Sequence, residues 1–164
     1  MSIVDRLWAP WRMEFIKDLT QDKYKECLFC SLNKSKDDRA SLVLKRGKTC
    51  YIVLNRYPYN NGHMMIVPYR HIGNLSELTP EEGSEMISLT GRATDILKTE
   101  IKADGFNAGF NLGRVAGAGI EGHIHFHLVP RWNGDHNFFP VLGETRSMPQ
   151  YLEETYDHLV KSFQ

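Results

Sequence analysis

The residues of this chain best suited to chemistry are three histidines at alternate positions, His123, His125 and His127. The residues between and after them are apolar, which predicts a β-strand over 123–129 with the three imidazoles on one face. Imidazole has an unperturbed pKa close to neutrality, so it can act as a nucleophile, exchange a proton or bind a metal ion. The histidine row therefore indicates either a metal site or a group-transfer site.

A glycine-rich loop directly before the histidines favours group transfer. Gly117, Gly119 and Gly122 allow the backbone to approach a ligand closely, and successive N–H groups in such a turn form a concavity that binds anions. An anion site beside a row of imidazoles suits a phosphate ester, whose negative charge spreads over its oxygens during transfer. We therefore expect Gly117 and Gly119 to contact a substrate phosphate.

The positions of the histidines suggest separate roles. His125 lies between two other imidazoles and is the candidate nucleophile, which would form a covalent phosphoramidate and divide one difficult step into two. His127 is the candidate to hydrogen-bond the leaving or non-bridging oxygen as an acid. Asn111, in the preceding predicted strand, is a candidate to orient a phosphate oxygen.

A second cluster of candidate ligands begins with Cys27 and Cys30, whose spacing suits one tetrahedral metal ion. His71 and His123 are the best candidates for the two remaining ligands. Four protein ligands leave no open coordination position, so the expected ion is a structural zinc. The alternative is a reduced, metal-free cysteine pair packed in the core. A redox pair would more convincingly open a helix within a βαβ unit.

The remaining pattern predicts an α+β fold with an antiparallel sheet, because strands and helices do not alternate regularly. Further strands are expected over 49–54, 63–67 and 106–112.

Two helices are also predicted. One begins after Thr79, which forms a capping box with Glu82. Its expected apolar face consists of Met86, Leu89, Ala93, Ile96 and Leu97. A second helix is predicted to open at 147–150, with Leu152, Tyr156, Leu159 and Phe163 as its apolar face.

Length and composition indicate a single domain with an ordinary hydrophobic core. The 164 residues include 20 basic and 20 acidic side chains, so the net charge gives no sign of a nucleic-acid or membrane surface. Residues 1–15 contain no apolar segment typical of a signal peptide, and no apolar run reaches the length of a membrane helix. We expect a cytoplasmic protein that binds neither nucleic acid nor membranes.

The segment 123–129 resembles the signature of the histidine-triad family, in which three histidines alternate with apolar residues. The likeness extends along most of the chain, and it is closest to the bacterial diadenosine tetraphosphate phosphorylase (ATP adenylyltransferase) branch. The segments that carry this likeness are 7–12, 54–60, 62–63 and 130–135. The resemblance implies one domain over 1–164, with family-specific extensions at 1–25 and 132–164.

The resemblance also implies a fold and an activity. Family members have a five-stranded antiparallel sheet with flanking helices, and two subunits join their sheets into one of ten strands. The middle histidine attacks the α-phosphate of a dinucleoside polyphosphate or adenine nucleotide, which implies a covalent nucleotidyl group on His125. The last histidine assists at the leaving group, which implies that role for His127. Inorganic phosphate as acceptor would give ADP and ATP, and water or an amine leaving group would make the enzyme a hydrolase or phosphoramidase.

Binding residues follow from the same resemblance. The family's phosphate-orienting asparagine matches Asn111, and its ribose-binding position matches Asn55. The apolar purine pocket matches Phe29, Leu32 and Val53. Relatives with a similar zinc site support the cluster of two cysteines and two histidines. A binding protein with vestigial chemistry is the rival interpretation, and the intact histidine row argues against it.

The sequence assigns no function to the remaining histidines or to the two N-terminal tryptophans. His63 follows a turn and is expected to cap a strand or pack, whereas His136 and His158 are expected at the surface. Trp8 and Trp11 are expected in the core, with cover over a nucleotide site or packing in a dimer interface as the alternatives.

Overall fold

The computed structural model of this chain describes residues 26–135 and 150–164, and within them it contains five β-strands and three α-helices. In chain order these are α1 (Leu28–Lys34), β1 (Val43–Arg46), β2 (Cys50–Leu54), β3 (Met64–Pro68), α2 (Pro80–Glu100), β4 (Gly105–Phe110), β5 (Phe126–Arg131) and α3 (Leu152–Phe163). The strands form one antiparallel sheet in the order β1-β2-β3-β5-β4. The predicted α+β fold with an antiparallel sheet is therefore confirmed.

Strand register determines which side chains share a face of the sheet. Val53 lies opposite Met65, which in turn lies opposite His127. Directly opposed residues point to the same face, so these three side chains lie on one side of the sheet. The phenol of Tyr51, two residues before Val53, donates to the backbone oxygen of Phe29 (2.9 Å), which places α1 over this same face.

The longest helix, α2, covers the opposite face. Cys50 is fully buried, and its thiol contacts the backbone oxygen of Glu82 in α2. Thr79 and Glu82 form the predicted capping box, with each side chain bonded to the other's backbone N–H. The apolar face is as predicted, with Met86, Leu89, Ala93 and Leu97 buried and Ile96 packed against the core.

The C-terminal helix α3 completes this second layer. It begins at Leu152 after an N-cap at Tyr151, later than the start predicted at 147–150, of which only residue 150 is described. The predicted apolar face holds, because Tyr156, Leu159 and Phe163 are buried. Within the described part of the chain, no helix has the length and apolar character needed to cross a membrane.

The predicted strand over 123–129 is wrong at its start, because β5 begins only at Phe126. Ile66 in β3 lies opposite Phe126, so continued pairing would place Pro68 opposite Ile124. Proline has no N–H to donate, and the ladder ends there. The N–H of Ile124 donates instead to the backbone oxygen of Ile72 (2.8 Å). The first two histidines of the row therefore lie in an extended segment just before β5.

Candidate active site and metal cluster

His125 is held in one tautomer by the backbone carbonyl of His123. Its Nδ1 lies 2.9 Å from the carbonyl oxygen of His123. A carbonyl oxygen can only accept a hydrogen bond, so Nδ1 must be the donor. The proton of the ring therefore lies on Nδ1, and Nε2 carries a lone pair. The side chain is buried, and this burial lowers the pKa of His125 below its ordinary value, although the bond to the carbonyl opposes the shift. His125 is thus a neutral imidazole with a nucleophilic nitrogen.

His127 is held in the opposite tautomer by His63. The backbone N–H of Tyr59 donates to Nδ1 of His63 (3.0 Å), and the amide nitrogen of Asn55 approaches the same atom at 3.4 Å. Because Nδ1 of His63 accepts, its proton lies on Nε2, which is 3.0 Å from Nδ1 of His127. His63 therefore donates to His127, and the remaining ring proton of His127 lies on its Nε2.

The importance of His63 is not predicted by the sequence, which suggested only a strand cap or a packing residue. Its side chain is 1 % exposed, and burial together with the neighbouring His127 and His125 holds the pKa of His63 well below its ordinary value. The sequence offers one weak indication of its role, which is that His63 directly precedes the strand that pairs with the histidine strand. Position in the sheet, and not local sequence, brings it to the site.

Asn111 lies beside His127. Its side-chain amide is 3.3 Å from Nε2 of His127 and 3.3 Å from the hydroxyl of Tyr59. The ring of Tyr59 stacks on the ring of His127 with centroids 5.7 Å apart. The protonated nitrogen of His127 therefore faces a polar side chain at the edge of the site.

Asn55 lies beside the same relay. Its side-chain oxygen accepts from the backbone N–H of Tyr57 (2.9 Å), while its amide nitrogen points towards His63. The amide of Asn55 therefore supports the His63 ring.

The glycine-rich loop is a compact turn whose amides are partly used within it. The N–H of Gly117 donates to the backbone oxygen of Arg114 (3.0 Å), and the N–H of Ala118 donates to the backbone oxygen of Gly113 (3.3 Å). Gly113 and Gly117 both have positive φ angles, of 80° and 90°, which favour glycine. Gly119 follows this turn and is half-buried. The amide of Gly117 thus stabilises the loop, and Gly119 lies closer along the chain to the histidines.

Two of the three predicted pocket residues, Phe29 and Val53, lie on the same side of the sheet as the histidine row. Phe29 is 2 % exposed, and its ring centroid is 4.8 Å from that of His125 and 5.4 Å from that of His123. Val53 is buried on the same face as His127, and Leu32 is partly buried against the core. The structure therefore brings Phe29 into direct contact with His125.

Cys27, Cys30, His71 and His123 form one cluster, in agreement with the set selected from the sequence. One potential ligand atom from each lies within 4.8 Å of the others. Nδ1 of His123 is 3.3 Å from the sulfur of Cys27 and 3.6 Å from that of Cys30, and Nδ1 of His71 is 3.5 Å from the Cys30 sulfur. The four donors are thus arranged to surround a single ion.

The tautomer of His123 supports metal binding. Its Nε2 is 2.9 Å from the backbone oxygen of Pro68, so this nitrogen carries the proton. Nδ1 consequently presents a lone pair to the two sulfurs. Burial, followed by the neighbouring Cys27, raises the pKa of the Cys30 thiol, and the nearby Lys34 ammonium partly opposes the shift. The cluster is therefore a candidate metal site.

Comparisons with known proteins agree with this geometry. Residues 36–134 match the model of the HIT domain family. The AP-4-A phosphorylase of Mycobacterium tuberculosis is 39% identical over 158 residues, which cover 93% of this chain and 80% of that protein. A bis(5'-nucleosyl)-tetraphosphatase of Schizosaccharomyces pombe is 29% identical over 101 residues, which cover 62% of this chain and 55% of that protein.

A solved structure has the same fold. The Zn-bound histidine triad family protein from Mycobacterium smegmatis superposes with a TM-score of 0.66 at 24% identity, covering 84% of this chain and 93% of that one. This likeness establishes the five-stranded architecture.

Proposed function

This chain belongs to the HIT domain family and is a nucleotide-processing enzyme, and we propose that it cleaves diadenosine tetraphosphate by phosphorolysis to ADP and ATP. The relative named AP-4-A phosphorylase, which is similar over most of both chains, supports this substrate and acceptor. The intermediate is a covalent adenylyl group on His125.

The observation that carries the proposal is the tautomer of His125. Because the His123 carbonyl holds the proton on Nδ1, the lone pair on Nε2 is available to attack the α-phosphorus. A bond forms between Nε2 and phosphorus, and the bond from phosphorus to the bridging oxygen breaks, releasing ATP. The imidazole gains positive charge in this step, and the His123 carbonyl stabilises that charge.

His127 acts on the leaving group. His63 leaves the proton of His127 on Nε2, beside Asn111. This N–H can donate to the bridging oxygen as its bond to phosphorus breaks, and a proton donor in such a position accelerates a reaction by about 10²–10⁴-fold. Asn111 is assigned to orient a non-bridging phosphate oxygen.

The second step regenerates the enzyme. An oxygen of inorganic phosphate attacks the adenylyl phosphorus, and the bond from phosphorus to Nε2 of His125 breaks. ADP forms, the electron pair of the broken bond returns to the imidazole nitrogen of His125, and the proton of the attacking phosphate oxygen passes to Nε2 of His127, which restores its starting form. No redox partner or metal-bound intermediate is required, because one nucleophile simply replaces another.

The remaining assignments concern binding of the substrate. We assign Phe29, Leu32 and Val53 to the adenine base, since Phe29 contacts His125, Val53 shares a face of the sheet with His127, and Leu32 lies one helical turn from Phe29 in α1. Asn55 is assigned to the ribose. Gly119 and Gly117 are assigned to the polyphosphate, with Gly117 acting mainly through the shape of the loop, since its N–H is bonded within it.

We assign zinc to the cluster of Cys27, Cys30, His71 and His123. Tetrahedral zinc, with bonds of about 2.3 Å to sulfur and 2.0–2.1 Å to nitrogen, separates the two kinds of ligand by about 3.5 Å. The sulfur–nitrogen distances of 3.3, 3.5 and 3.6 Å agree with that separation. Zinc bound by all four side chains would supply structural cross-linking, because no coordination position would remain for substrate.

We also propose a homodimer. Strand β4 is at the edge of the sheet, and no strand among the described residues pairs with its outer side. Pairing of two β4 strands would join the sheets of two subunits into one of ten strands, which also removes an exposed edge. A solution mass of two chains, measured by light scattering, is the expected result.

The acceptor determines the class of reaction. With water in place of phosphate, the same adenylyl intermediate would release AMP, which is the chemistry implied for a hydrolase or a phosphoramidase. The S. pombe relative named as a tetraphosphatase makes this the second candidate.

The test is to incubate the enzyme with diadenosine tetraphosphate, with and without inorganic phosphate, and to separate the nucleotides. We expect ADP and ATP to appear together only with phosphate. If AMP and ATP form at equal rates with and without phosphate, the reaction is hydrolysis and not phosphorolysis. No cleavage of the substrate under any condition would refute both reactions.

A further inference from the structure

We propose that the metal cluster and the nucleotide site are thermodynamically coupled through Phe29, so that metal binding strengthens nucleotide binding and nucleotide binding strengthens metal binding. The inference rests on the proposed function, because it requires a nucleotide beside His125. It adds a positioning role for Phe29 and a second purpose for the cluster.

Phe29 is the residue that physically joins the two sites. It lies in the sequence between Cys27 and its partner ligand Cys30, and its ring contacts the rings of both His123 and His125. One of these histidines belongs to the metal cluster, and the other is the proposed nucleophile. The side chain is nearly fully buried, so a displacement of its backbone changes its packing against both rings.

Helix α1 depends on contacts at its ends to hold Phe29 in place. It has seven residues, and Phe29 is its only buried one. A helix of this length is not stable on its own in water. At its C-terminal end, the guanidinium of Arg46 donates to the backbone oxygens of Leu32, Asn33 and Ser35. At its N-terminal end, the hydroxyl of Tyr51 donates to the backbone oxygen of Phe29.

A metal ion would complete the attachment of the N-terminal end. Cys27 is the N-cap residue and Cys30 lies in the first turn, so a bound ion ties the backbone on both sides of Phe29 to His71 and His123. The ring is then fixed against His125 before a nucleotide arrives. Without the ion, part of the nucleotide's binding free energy is used to order this segment.

Coupling between two binding sites is reciprocal, because the factor by which metal changes nucleotide affinity equals the factor by which nucleotide changes metal affinity. We expect a factor of about tenfold, which is within the usual range for coupled sites. The two factors can be measured independently, and their equality is a demanding check.

The experiment uses AMP and Zn²⁺ as the probes. Calorimetry gives the AMP dissociation constant of the zinc-loaded protein and of protein stripped with a chelator. A chromophoric chelator then competes for zinc with and without AMP, and a protein-free titration corrects for zinc bound by AMP itself. The chelator competition begins from zinc-loaded protein, so it measures the coupling factor even if the zinc-free protein unfolds.

The variants separate Phe29 from the rest of the helix. Phe29→Ala removes the ring, and Phe29→Leu keeps apolar volume while removing the aromatic contacts. Ser31→Ala is the matched control, because Ser31 is an exposed side chain of the same helix. We expect the wild type and the control to keep the tenfold factor, and both Phe29 variants to reduce it to near one.

Equal zinc affinity with and without AMP in the wild type would overturn the coupling. A tenfold factor that persists in both Phe29 variants would overturn the role of Phe29. These outcomes leave the proposed function intact if ADP and ATP are still formed from diadenosine tetraphosphate. Absence of AMP binding in every state, together with absence of cleavage, would overturn the coupling and the proposed function together.

Discussion

Nε2 of His63 lies 3.0 Å from Nδ1 of His127, although 63 residues separate the two histidines in the sequence. Antiparallel pairing of β3 with β5 brings them together, since Met65 lies opposite His127. The hydrogen bond fixes the tautomer of His127 and leaves a protonated nitrogen at the outer side of its ring. His63 is therefore a positioning residue that acts through His127.

Replacement of His63 should reduce turnover without removing substrate binding. We expect His63→Leu to lower kcat by about 10–100-fold, because His127 loses the donor that keeps its proton on Nε2. His63→Gln retains an N–H near the same position and should recover part of the rate. Steady-state kinetics with diadenosine tetraphosphate test this, and equal losses of kcat in the two variants would contradict the tautomer argument.

Burial of neutral His63 also predicts a pH dependence of stability. The pKa of His63 in the folded protein is well below the ordinary value, and the ring is surrounded by His127, His125, Tyr59 and Asn55. As pH falls below about 6.5, the unfolded chain takes up a proton at this position while the folded chain does not. Stability is therefore unaffected by this group above pH 6.5 and decreases below it.

The matched comparison is between the wild type and His63→Leu. Between pH 6 and pH 5, the wild type should lose about 1.2 kcal/mol more than the variant, because only the wild type carries this group. Urea unfolding at several pH values gives the two slopes. Parallel slopes would show that His63 does not contribute.

A separate stability prediction concerns the end of α2. Lys102 has a φ angle of 52°, just after the C-cap Ile101, and the N–H of Ala103 approaches the backbone oxygen of Leu97 at 3.3 Å. Glycine adopts this left-handed conformation without the steric cost of a Cβ atom. Lys102→Gly should raise the free energy of unfolding by about 1 kcal/mol. Lys102→Ala, which keeps Cβ, should show no such gain in the same urea titration.

Much of the fold follows from local patterns in the sequence. Thr79 and Glu82 mark the start of α2 directly, and the apolar spacing that follows predicts its buried face. The alternation of His123, His125 and His127 predicts a shared face, but not that Pro68 ends the pairing before the strand reaches the first two. A proline interrupts the hydrogen bonding of the strand paired with it as well as its own. Which strand pairs with Pro68 can be read only from the strand order of the folded sheet.

The missed features depend on contacts between distant segments. Helix α1 has too few residues and too narrow an apolar pattern to be predicted, and it is held by Arg46 and Tyr51. His63 has no distinguishing neighbours in the sequence. The division into one domain with extensions at 1–25 and 132–164 stays a prediction, and His136, Trp8 and Trp11 lie outside the described residues.

The metal cluster predicts one zinc ion per chain. Elemental analysis of purified protein should find this ratio, and Cys30→Ser should lower it because the cluster loses one of its two sulfurs. Cys50→Ala is the matched control, since the Cys50 thiol is buried against α2, away from the cluster. We expect a chelator to lower the melting temperature of the wild type and of the control alike. An unchanged zinc content in Cys30→Ser would exclude Cys30 as a ligand.

The decisive prediction is a phosphoramidate on His125. A reaction with substrate labelled in the adenylyl group, quenched in base in the absence of phosphate, should yield a labelled protein whose label is stable in base and lost in acid. Peptide mapping should place it on His125, because the bond to the His123 carbonyl leaves the lone pair of this ring on Nε2. His125→Ala should carry no label and lose turnover by about 10⁴-fold or more, since the covalent route is closed. The same variant should still bind AMP, which separates loss of the nucleophile from loss of the fold. Label found on His127, or on no histidine while cleavage continues, would assign the attack to another group.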